Sequence, residues 1–215
     1  MTGRDTLRRM PRLPSRGPRR RENTRARLVE ASEAVFAEKG LKRVTVDDLV
    51  GAAGFTRGAF YSNFSSIDEV FFTLFEQLSE QMLTVMRTCL DAVPEGEFTL
   101  SSLADVFEQL KPIGQRWYVI QAEFTLLALR SPEARTVFWE HRQQFEHQMV
   151  GVIDDVLTLL GREPLLPLDQ MTETAVALYV HALCQDGLGI GTLGTDALVS
   201  DVLPHVILGL SRERG

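Results

Sequence analysis

The chain has 215 residues, 44% of them hydrophobic and 24% charged. That is an ordinary globular composition, long enough to bury a core without disulfide staples. No apolar stretch approaches the roughly 18–20 residues of a membrane span. Cys89 and Cys184 lie far apart with no CxxC, which argues against a zinc finger or a disulfide scaffold. This cysteine usage suits a reducing compartment, so the expected location is cytoplasmic. The net charge is −6, but residues 1–27 hold ten arginines against Asp5 and Glu22, or +8, and the remainder carries −14. A basic end on an acidic body predicts an end that binds polyanions and a body that avoids them.

Residues 1–23 read as a disordered Arg-rich arm. Pro11, Pro14 and Pro18 interrupt it, and few large apolar side chains are present to offset ordering entropy. From Thr24 the pattern turns helical, with Leu28, Ala31, Val35 and Phe36 on one face and Gly40 as the stop. Thr45 is a good N-cap for a short helix through Ala53, with Asp47 and Asp48 in the first turn where the helix dipole favours them. Gly54 permits a sharp turn. Thr56 caps a second short helix ending near Asn63. Ser65 or Ser66 caps a long one whose stripe is Val70, Phe71, Leu74, Phe75, Leu78, Met82 and Val85.

Beyond Pro94 the chain still reads helical, with helices over about 100–111, 113–130, 133–160, 168–188 and 196–211. Pro112 is expected to divide the first two, and Ser131-Pro132 to cap the third. Few segments alternate at period two, so no sheet is expected. The fold class is all-α, about nine helices, with a helix-turn-helix head over 24–65 and a helical body over 66–215.

Two short helices joined by a three-residue glycine turn form a helix-turn-helix pattern. The second helix must enter a groove ~12 Å wide, so its outer side should be short, polar or basic. Thr56 can offer a hydroxyl, Arg57 sits at the N-terminal tip where bases are touched, and Gly58 and Ala59 allow close approach. Tyr61 can serve a phosphate and Asn63 can donate a hydrogen bond. Thr45 joins them as a cap that can also meet phosphate. Phe55, Phe60 and Phe64 are spaced for packing inside the head.

The order Thr…Leu…Ala-Gly-Phe-Thr-x-Gly-x-Phe-Tyr-x-x-Phe within Thr45–Phe71 resembles the DNA-binding domain of the TetR family of bacterial transcription regulators. The resemblance covers residues 24–75, about a quarter of the chain. It implies three DNA-binding helices, a C-terminal ligand and dimer domain, and a homodimer on an inverted-repeat operator in double-stranded DNA. It also implies a repressor released when a small-molecule effector moves the two heads apart. Ile67 stands where the family usually has Lys, and Val50 where it usually has Ala. The long basic arm can compensate for the phosphate contact that Lys would make.

Other motifs point away from catalysis. Gly189-Ile-Gly191-Thr-Leu-Gly194 matches GxGxxG but follows a helix, not the strand a dinucleotide site requires. His181 and Cys184 lack an orienting third group, and the six-residue spacing of His141 and His147 is poor for sharing a metal. No enzyme activity, cofactor, metal or membrane association is expected.

In the body, Trp117 and Phe124 fall on one helical stripe, and Phe138, His141 and Phe145 on the next. They are the expected lining of a ligand cavity, apolar with His141 or Glu123 as a polar anchor. An uncharged or weakly cationic lipophilic effector fits best, with an anionic acyl thioester held by Arg116 or Arg130 in reserve. Leu178, Val199, Val202 and Val206 make the expected two-fold dimer face. The rival reading is an architectural or cell-division protein that uses the same head without an effector. Lack of a sealed body cavity would favour it.

Overall fold

The computed structural model describes residues 18–94 and 96–214, with side chains from Arg21 onward. The arm over residues 1–17 lies outside them. Helix α1 spans Pro18–Lys39, so the helix begins six residues before the expected Thr24. Pro18 suits this start, because proline is tolerated in the first turn where no N–H is needed. Leu28, Val29, Phe36 and the hydroxyl-bearing Ser32 are fully buried, and the Ser32 hydroxyl donates to the Val29 carbonyl.

The head is completed by α2 (Val46–Ala53) and α3 (Arg57–Tyr61). Both caps expected from sequence are formed. Thr45 Oγ1 accepts the Asp48 N–H while the Asp48 carboxylate accepts the Thr45 N–H, a reciprocal capping box. Thr56 Oγ1 accepts the Ala59 N–H. Gly54 ends α2 in the left-handed region (φ 69°), where a Cβ would be strained. Leu49, Phe60 and Phe64 fill the space between the three helices.

Helix α4 (Ile67–Asp91) leaves the head and becomes the first helix of the body. Helices α5 (Ser102–Ala128), α6 (Pro132–Leu159) and α7 (Leu168–Leu188) pack with it. One apolar core runs without a break from Leu28 in the head to Ile207 near the C-terminus.

Three expectations are corrected. Helix α5 is continuous through Pro112. Pro112 and Glu108 are both exposed, so water can serve the carbonyl that proline leaves free, while Leu110, Ile113 and Trp117 keep the face buried. The segment 196–211 is not one helix. A turn α8 (Thr195–Ala197) passes into a π-helical turn over Leu198–Val202 and then α9 (Leu203–Leu210). Pro204 explains the break, since it has no N–H to continue the α-ladder and the ladder changes step before it. Finally, β1 (Arg162–Pro164) pairs antiparallel with β2 (Ser211–Glu213), tying the chain end to the α6–α7 connection.

Candidate nucleic-acid interface and body cavity

The outer side of the α2–turn–α3 unit carries Thr56, Arg57, Gly58 and Tyr61 exposed and Ala59 half-buried. A Cβ on Gly58 would meet nothing nearer than Thr56 Oγ1 at 3.8 Å, so the packing of the chain does not require glycine there. Tyr61 is 63% exposed and touches Phe60 only edge-on, leaving its hydroxyl in solvent. Thr45 uses its oxygen in the capping box.

Asn63 is placed differently from expectation. It is half-buried, and its amide donates to the Ala59 carbonyl at 2.7 Å, closing the end of α3 instead of reaching outward. Its Oδ1 is buried without a partner among the described residues.

Arg57 is also engaged. Its Nε donates to Asp47 Oδ1 at 2.5 Å and its Nη2 to Asp47 Oδ2 at 2.5 Å. The hydrogen bonds from Arg57 hold the Asp47 carboxyl below its ordinary range, and Asp47 raises Arg57 in turn. Lys39 and the Thr45 backbone together bring Asp48 down to about 2.

Two arginines counted in the basic end are struts inside the head. Arg25 lies 4.1 Å above the Phe64 ring and donates to the Asn63 carbonyl, Glu69 Oε1 and Thr73 Oγ1. It thereby joins α1 to α4 and to the end of α3. Arg27 lies over Phe55 at 4.9 Å and donates to the Ala53 carbonyl. Sequence reasoning missed both, although an arginine three residues from a helical apolar face is within reach of packing its stem inward.

Helix α5 docks on the head through a second face. Glu123 Oε2 accepts the Leu41 N–H at 3.0 Å. Arg116, one heptad earlier, holds Glu33 of α1 through two bonds of 2.5 Å each. The carboxylate expected as a ligand anchor and the guanidinium expected to meet an acyl thioester both serve this junction. Arg130 is exposed at the end of α5 and does not line the cavity either.

A cavity of about 100 Å³ does exist in the body, enclosed by α4, α5, α6, α7 and the C-terminal turns. Trp117 and Phe145 line it, with Met82, Met86, Met149 and Met171. Phe124, Phe138 and His141 do not. They form a filled cluster instead, Phe124 meeting Phe138 at 4.9 Å, Phe72 at 4.9 Å and His141 at 6.3 Å. Aromatic edges and faces pack there at contact distance, which leaves no room for a ligand. Trp117 stacks between Phe75 and Phe145 and donates its indole N–H to Ser79 Oγ at 2.9 Å.

The expected dimer residues divide. Val199 is buried in its own protomer, and Val206 lines the cavity. Leu178 and Val202 are half-buried. The side of α7 left uncovered carries Ala177, His181 and Leu188. Of the remaining motif residues, Gly189 ends α7 in the left-handed region, Asp186 accepts from Thr195, and Cys184 is a half-buried free thiol. Among the described residues, no group of three or more His, Cys, Asp or Glu is placed to hold a metal, and no helix is long and apolar enough to cross a membrane.

A capped helix-turn-helix with an exposed second helix, mounted on an all-helical body, defines a DNA-binding regulator architecture. The family model described as "Bacterial regulatory proteins, tetR family" matches residues 28–74. The regulator YfiR of Bacillus subtilis is 24% identical over 148 residues, 69% of this chain and 72% of that one. TtgR of Pseudomonas putida is 37% identical over 132 residues, 61% of this chain and 56% of TtgR, so the match spans little more than half of that regulator. The solved TetR-family regulator of Cytophaga hutchinsonii superposes with a TM-score of 0.68 over 90% of this chain and 98% of that one, at 19% identity. Residues 28–74 thus match the DNA-binding domain of the TetR family of bacterial transcription regulators, and the whole chain has the fold of solved TetR-family regulators.

Proposed function

We propose that the chain is a homodimeric repressor that leaves its operator when a small lipophilic molecule occupies the body cavity. The observation that carries this reading is the position of α5. One face of the helix lines the cavity through Trp117, and its other face holds the head through Arg116 and Glu123. A ligand that shifts α5 therefore acts on the head directly, as well as through the continuous α4. Coupling requires only that the ligand prefer the DNA-incompetent arrangement, and a tenfold loss of DNA affinity needs about 1.4 kcal/mol.

The lining is almost entirely apolar and contains no Arg or Lys, which supports an uncharged ligand and disfavours an anionic one. At about 100 Å³ the cavity is smaller than the roughly 150 Å³ that admits benzene in an apolar core. Four methionines in the lining supply the give that a larger molecule needs, because their side chains repack at low cost. The same cavity weighs against the effector-independent architectural reading.

Fluorescence tests the proposal. Trp139 is 55% exposed and would mask the buried Trp117, so Trp139→Phe isolates the reporter. Lipophilic compounds should change Trp117 emission and release labelled operator over one concentration range. Emission changes with no release would leave the cavity unconnected to DNA.

A further inference from the structure

The recognition arginine does not stand alone. Asp47, on the first turn of α2, has no part in the capping box, which Asp48 completes. Its carboxylate instead grips Arg57 on α3 across the turn, ten residues away. Both side chains are 63% exposed, so the pair adds little to stability. A negative charge on a DNA-facing surface also opposes phosphate. Its value must be sought elsewhere, and the geometry of the fork supplies it.

A guanidinium has five N–H groups in one plane. Asp47 takes the Nε–H and one Nη2–H, the side edge of the fork. That leaves the end edge, the remaining Nη2–H and the Nη1–H beside it, as a planar pair, while the second Nη1–H points back along the side chain. The end edge is what a guanine needs to meet its O6 and N7 together. A long flexible side chain would otherwise lose rotamer freedom on binding, and a fork fixed beforehand has less to lose.

We infer that Asp47 is a positioning residue for base recognition, presenting the free edge of Arg57 to guanine and keeping the charge from settling on any nearby phosphate. This rests on the reading of α3 as the DNA-contacting helix.

The test is selection of sites from a randomised duplex DNA library by the full chain, with affinity and salt dependence then measured on the selected and a scrambled duplex. Wild type should enrich one sequence. Asp47→Ala should lower the preference at one base pair about tenfold, while affinity for scrambled DNA rises. Its slope of log affinity against log salt should steepen by about 0.9, one added phosphate contact. Arg57→Ala and the double variant should show one and the same flattened preference. If the Ala variant fails to fold, Asp47→Asn carries the test with the side-chain size kept. A variant that keeps the wild-type preference, or that loses affinity for all sequences alike, overturns the role of Asp47 and leaves the DNA-binding reading standing. A wild-type chain that enriches no sequence overturns both.

Discussion

Glu123 Oε2 accepts the backbone N–H of Leu41 across 82 residues of sequence. The acceptor comes from α5 in the body and the donor from the turn between α1 and α2 in the head. Leu41 is buried, so its N–H has little access to water if the carboxylate is removed. Gly40 beside it has φ 69°, and a Cβ there would stand 3.4 Å from both Glu123 oxygens. The head and body are thus joined by a polar contact that the local backbone is shaped to receive.

Glu123→Ala should therefore destabilise the chain by about 1–3 kcal/mol. Glu123→Gln, which keeps an acceptor, should recover most of the loss. Arg116→Ala, which removes the half-exposed arginine of its ion pair with Glu33, should cost about 0–1 kcal/mol. Urea unfolding of the three variants gives the comparison, and equal costs at the two sites would contradict this assignment of the junction.

The caps and the head core were legible from sequence because their signals are local. Thr45, Thr56, Ser66 and Ser131 each sit three residues before the N–H they accept. The contacts of Glu123, Arg25 and Arg57 were not, since a charged residue on a helix edge gives no sign of which distant element it will meet. The stripe through Phe138 and His141 showed that these side chains face inward. It could not show that Phe72 and Phe75 of α4 would fill the space before them. Pro112 looked like a boundary because the exposure of the freed carbonyl is a tertiary property.

Ser79 and Trp117 give a second prediction. Ser79 Oγ accepts the buried indole N–H and donates its own O–H to the Phe75 carbonyl at 2.9 Å. Ser79→Ala should leave the indole donor unpaired at a cost of about 1–3 kcal/mol. The urea midpoint should fall with no change in slope. The Trp117 emission of the Trp139→Phe background should shift as well. An unchanged midpoint would mean that the indole has found another acceptor.

Acid should loosen the head before the body. Asp48 falls from an ordinary 3.8 to about 2, mainly through Lys39 and then Thr45. A carboxylate depressed on folding adds stability that is complete above the unfolded value. That stability drains as the pH drops from about 4 toward 2. Titrating the head by amide NMR should show the first turn of α2 loosening in that window. In Asp48→Asn the same turn should be loose already at neutral pH. A pH profile shared by both proteins would remove Asp48 from the acid response.

Dimerisation should depend on the uncovered side of α7. Ala177 is exposed, so Ala177→Arg leaves the protomer core untouched and places a bulky cation where a second copy would pack. The expected product is a folded monomer by light scattering, with weak hold on a two-half-site operator. Val206→Glu should behave differently, since it puts a charge into the apolar cavity and should lower stability. An Ala177→Arg protein that remains dimeric would move the interface to another surface.

Sequence-specific DNA binding by the head can be measured by competition. The full chain would be titrated onto the inverted repeat selected from a duplex library, with a scrambled duplex of equal length as competitor at fixed, near-physiological salt. Two protomers should bind each repeat, with half-sites ~34–36 Å apart and a preference of at least about a thousandfold over the scrambled duplex. Equal affinity for the two duplexes at every salt concentration would contradict it.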